Sequence, residues 1–139
     1  MVTFTRAWTV IFMVLAVHGL AISSGWYEYN KWFDIPMHFA GGFAIGLLAL
    51  AGLEAWIEKV TFKKSLKPWA QIAVAAVAVM GAAAIVGIVW EWYEFIFDNL
   101  AVMYSLEIRP AQMTIGDTLA DLAFDLIGAL AAFTLFRRR

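Results

Sequence analysis

The sequence lacks cysteine altogether, has only three prolines, and carries few charges: 15% Asp, Glu, Lys and Arg in 139 residues. Without cysteine, disulfides and thiolate metal sites are excluded, and the redox compartment leaves no trace. Soluble domains average nearer a quarter charged, so a water-exposed globule is excluded too. The formal net charge of −1 says nothing about nucleic acid, but no basic face interleaved with aromatics is present, so no nucleic-acid partner is expected. What is present instead is 63% hydrophobic residues and a mean hydropathy of +0.77. The chain is therefore expected to be an integral membrane protein, a single domain by length.

Four apolar runs are long enough, or nearly so, to cross about 30 Å of hydrocarbon. They lie at about 7–23, 37–57, 69–97 and 117–136. The first, preceded by Arg6, is read as a retained span rather than a cleaved leader. The second contains Gly41, Gly42, Gly46 and Gly52, which allow helices to approach closely. The third follows Pro68, and its helical pattern continues through Glu91, Glu94 and Asp98. The linker from Ser24 to Ile35 is aromatic, as expected of an interfacial belt. The linker from Asn99 to Ile115 contains Pro110 and has room for a short interfacial helix. The expected fold is all-α, a polytopic bundle of four transmembrane helices. Eight of the ten basic residues fall at the amino terminus, the second linker and the carboxy terminus. The positive-inside rule then puts both termini in the cytoplasm.

The acidic residues are distributed the other way. Nine of eleven, all but Glu54 and Glu58, lie in the outer linkers or the outer ends of the spans. Asp117, Asp121 and Asp125 recur every fourth residue, a slanted row about 12 Å long on one helix. Asp34 and His38 are spaced i and i+4; Glu91, Glu94 and Asp98 are spaced i, i+3 and i+7, so each set shares a face. His18 lies near the outer end of the first span. Four segments thus deliver ionisable groups to one depth, where only Lys31 and Arg109 are available as protein counter-charges. Carboxylates so close together either share protons or are neutralised by a cation.

Carboxylates with a few histidines suit a divalent ion such as Mg²⁺, Mn²⁺, Zn²⁺ or Fe²⁺. The expected ligands are His38, Glu91, Glu94, Asp121 and Asp125, with Asp117 left as a general base. Asp34, Asp98, His18 and Arg109 are secondary candidates. Bland explanations compete with several of these. Asp117 is expected to be the N-cap of the last helix, after Gly116. Glu91 and Glu94 are also explained as an interfacial pair, and His38 as a histidine bonded to a backbone carbonyl. His18, alone on an apolar span, is read as a satisfied core histidine, and Arg109 as solvated or set to meet a phosphate. The strict Glu-x-x-His pair of di-iron bundles is absent, since the chain has Glu91-x-x-Glu94.

The pattern Asp34-x3-His38, Trp90-Glu91-x2-Glu94 and Asp117-x3-Asp121-x3-Asp125-x2-Gly128-Ala129 resembles small bacterial inner-membrane proteins of the YjdF type. It is more distantly similar to the VanZ proteins associated with glycopeptide resistance. There the corresponding motifs carry a lysine, a glutamine and an asparagine where this chain has Ile35, Glu94 and Asp125, so this site is the more acidic. The resemblance covers roughly Trp32 to Ala132. It implies a four-span bundle with these motifs in proximity, and no particular reaction. The Gly-x2-Ala-Arg core of CDP-alcohol phosphotransferases and the Pro-Ser-Gly-His motif of lipid phosphatases are both absent.

The function expected is metal-dependent hydrolysis or transfer on a lipid or cell-envelope substrate at the outer membrane face. The alternatives are a cation or proton permease, or a subunit of one, and a non-catalytic envelope-stress or glycopeptide-resistance protein whose polar cluster organises the bundle. The sequence allows a homo-oligomer.

Overall fold

The computed structural model describes residues 2–59, 67–106, 110–111 and 114–137. Its elements are α1 (Phe4–Ser23), α2 (Trp26–Tyr29), a 3-10 turn (Lys31–Phe33), α3 (Asp34–Lys59), α4 (Pro68–Met103) and α5 (Ile115–Phe136). No strand occurs among the described residues, and four helices are long and apolar enough to cross a membrane. The fold is all-α, as expected. Large apolar side chains such as Phe12, Leu20, Val77, Ile85 and Leu135 are exposed around the outside. In water that surface would aggregate; in a bilayer it is the lipid-facing coat.

The helix ends differ from the sequence reading, and the differences have local causes. Proline at the first turn starts α4 at Pro68. The helix then runs to Met103, six residues past the expected end at 97. It stops where Ser105 adopts a left-handed conformation (φ 53°). There the Leu106 N–H donates to the Ala101 carbonyl and the Ser105 N–H to that of Val102, a Schellman closure. Part of the linker expected from Asn99 is therefore helix. α5 begins at Ile115 with Thr114 as its N-cap, the Thr114 hydroxyl accepting from the Asp117 N–H at 3.1 Å. Asp117 is thus not the cap but the third residue of the first turn. Its backbone is what Thr114 caps.

α3 and α5 form the central pair. They approach so closely that a Cβ on Gly42 would strike the Asp125 backbone carbonyl, and one on Gly128 that of Phe39. Gly52, by contrast, faces open space. α1 packs on α3 at one side, and α4 packs on both α3 and α5 at the other. The core is two clusters of mostly small or branched residues. Ala7, Leu47, Ala51 and Ala132 join α1 to the central pair; Leu50, Val79, Ala83, Ala129 and Phe133 join α4 to it. Between lipid-immersed helices, close packing of small residues replaces the hydrophobic driving force available in water. The late ends of α1 and α4 and the early ends of α3 and α5 meet at one end of the bundle.

Candidate metal centre

His38 of α3 is the hub of that end. Its Nε2 lies 3.8 Å from Asp34 Oδ1 and 3.9 Å from Asp121 Oδ1, and its Nδ1 lies 3.5 Å from Asp125 Oδ1. Helical spacing explains the arrangement. Asp34 is one turn before His38, and Asp121 and Asp125 are one turn apart on the α5 face that the Gly42–Gly128 seam presses against α3. On the other side, α4 contributes Glu91 and Glu94. Gly87, one turn before Glu91, makes room: a Cβ there would strike the Asp125 carboxylate.

Two ligand sets have donor atoms within 4.8 Å of one another: Asp34, His38 and Asp121, and His38, Glu91 and Glu94. With metal–ligand bonds of about 2.1 Å, two donors on one ion stand roughly 3 to 4 Å apart. The His38 Nε2 separations match that spacing and are too long for direct hydrogen bonds. Burial is nearly complete. His38, Glu91, Glu94, Asp121 and Asp125 are each no more than 6% exposed, and Asp34 is partly buried. Charged groups at that burial need partners or a bound ion.

The remaining candidates are placed as follows. Asp117 is half-buried one turn outward of Asp121, at the rim of the cluster. Asp98 accepts a hydrogen bond from the Ala111 N–H at 2.8 Å, tying the linker back onto α4. His18 lies beside the cluster, its Nδ1 sharing a 2.7 Å hydrogen bond with the Tyr27 hydroxyl. Lys31 is exposed, and Arg109 is outside the described residues.

Two supporting residues carry little sequence signal. The Trp90 indole N–H donates to Glu94 Oε1 at 2.8 Å, holding that carboxylate from one turn away. The i, i+4 spacing of Trp90 and Glu94, within the Trp90-Glu91-x2-Glu94 motif, is the clue to it. Tyr27 lies in the linker helix α2, and nothing in its spacing points to His18. Burial, and then the negative charges of Asp34 and Glu94, push the Tyr27 phenol above its ordinary range. It therefore keeps its proton while it shares the hydrogen bond with His18.

The fold and this cluster define a class: a multi-pass helical membrane protein with ionisable groups buried at one end of its bundle. The family model described as "Predicted membrane protein (DUF2238)" matches residues 1–139, and the chain belongs to that family. Comparison with curated proteins and with solved structures returned no match.

Proposed function

We propose that the cluster binds a divalent cation and serves hydrolysis or group transfer on a lipid or cell-envelope substrate. The observation that carries this is the setting of His38, a buried imidazole with carboxylates from three helices around it at ligand spacing. In this reading Asp125 faces Nδ1 and fixes the tautomer, as carboxylates commonly do for metal-binding histidines, so Nε2 keeps its lone pair for the ion. Glu91 and Glu94 complete the set from α4, with Asp34 and Asp121 on the opposite side. A bound divalent ion supplies Lewis acidity toward water or a phosphoryl oxygen. Asp117, half-buried at the rim, is left to accept a proton. The bias of basic residues toward the other end of the bundle supports a centre facing outward from the inner membrane. The residue pattern that resembles YjdF-type and, more distantly, VanZ proteins belongs to the same reading.

A proton or cation pathway is less well supported. Inward of the cluster, α3 runs from Gly42 to Glu54, about 18 Å, without an ionisable residue.

The test is metal analysis of purified protein dialysed against Zn²⁺ or Mn²⁺. About one ion per chain is expected, falling to background in His38→Ala and strongly reduced in Glu91→Gln. Absence of bound metal, or a content that neither substitution changes, would overturn the reading.

A further inference from the structure

A cavity of ≈ 180 Å³ adjoins the cluster between α1, α3 and α4. One end of it is polar, formed by His18, Asp34, His38 and Asp125. The rest is apolar, with Ile11 and Val14 on α1, Ile45 on α3 and Ala83 on α4. Its walls extend from His18 to Ile11, from Asp34 to Ile45 and from Trp90 to Ala83. At 1.5 Å per residue these walls are about 10 to 16 Å deep. All three run away from the cluster toward the middle of the bundle. The cavity is thus polar where it meets the candidate centre and apolar where it descends between the spans.

It also has a side entrance. α1 and α4 both pack on α3 but scarcely touch each other. At the polar end they are bridged by the His18 and Trp90 rings, edge-on with centroids 5.1 Å apart. Below that bridge, Leu15 of α1 and Val86 of α4 line the cavity while being 48% and 42% exposed on the outer surface. They form the two lips of an opening toward the bilayer. A single hydrocarbon chain fits.

The geometry points to a binding slot for the hydrocarbon chain of a membrane lipid. The chain enters sideways between Leu15 and Val86, and the lipid's polar group comes to His38 and Asp125. This names the substrate class of the centre proposed above and rests on that reading for what happens at the polar end. Chain binding itself needs no metal.

The test uses purified full-length protein in phosphatidylglycerol vesicles containing a trace of phospholipid with a photoreactive diazirine partway down one acyl chain. After illumination, adducts are mapped by mass spectrometry. They are expected to concentrate at Val14, Ile45 and Ala83 over the lipid-facing Ile85 and Leu130. Leu15→Trp combined with Val86→Trp narrows the entrance at exposed positions where folding is not at risk. It is expected to lower slot adducts about tenfold, the effect of excluding roughly two methylenes. Ile85→Trp, exposed outside the slot, should leave them unchanged. Adducts spread evenly over lipid-facing positions, or insensitive to the double substitution, overturn the proposal. A slot filled by a second copy of the chain yields no lipid adducts there and overturns it equally. Each sample is run both chelator-stripped and Zn²⁺-reloaded. Slot adducts in protein that takes up no ion on reloading sustain the slot and remove the metal reading. Stoichiometric ion with evenly spread adducts does the reverse.

Discussion

Nδ1 of His38 lies 3.5 Å from Oδ1 of Asp125, across the seam where α3 and α5 touch backbone to backbone. The tightest contact of the fold and the hub of its polar cluster are therefore one place. Removing either partner leaves the other buried without its counterpart. In metal-free protein, His38→Ala and Asp125→Ala should each destabilise by about 3 kcal/mol, and the double variant by clearly less than the sum. Unfolding in detergent measures this; additive losses would show that the two residues act independently.

The seam makes a second prediction, about glycines. Gly42→Ala and Gly128→Ala put a methyl group into the facing backbone and should each cost about 1–3 kcal/mol, or separate the helices. Gly52→Ala and Gly81→Ala, which meet nothing within 4 Å, should stabilise by about 0.5–1 kcal/mol through helix propensity. Four thermal melts decide the matter. Equal effects at all four positions would mean that α3 and α5 are not in backbone contact.

The start of α5 separates two threonine and aspartate roles. Thr114→Ala should cost about 1 kcal/mol, because it removes the acceptor for the Asp117 N–H. Asp117→Asn should cost only about 0.5 kcal/mol, the loss of a charge near the helix amino terminus. The reverse order in chemical denaturation would return the capping role to Asp117.

Tyr27 gives a pH prediction. Its phenol is held above the ordinary range by burial and by Asp34 and Glu94. The unfolded chain therefore releases that proton first, near pH 10, and stability falls as pH rises past about 10. Alkaline absorbance titration should show a late tyrosine step that disappears in Tyr27→Phe. That variant should also lose part of the alkaline destabilisation. An unchanged titration in Tyr27→Phe would show that Tyr27 is not the late step.

Much of this was legible in the sequence because the bilayer imposes a length on apolar runs. Four runs gave four spans, and their alternating direction was enough to bring His38, Glu91, Glu94, Asp121 and Asp125 to one end. Rotational phase was harder to read. A helix apolar on every side, such as α4, does not announce which face meets its neighbour. Gly42 could therefore not be told from Gly52, nor could Gly87 be seen as the space beside Asp125. Helix ends depend on backbone dihedrals, so Ser105 and Thr114 decided boundaries that the apolar pattern had put at 97 and 117. The His18–Tyr27 bond joins a span to a linker and has no periodicity to betray it.

The cluster is supplied from two sides that are held differently. The seam clamps α3 and α5 into one piece carrying Asp34, His38, Asp121 and Asp125, whereas Glu91 and Glu94 ride on α4. At 36 residues that helix is about 54 Å long, against a hydrocarbon layer of about 30 Å, so it must lean or overhang. One wall of the cluster is thus locked by backbone contact, and the other is set by how α4 packs against that central pair.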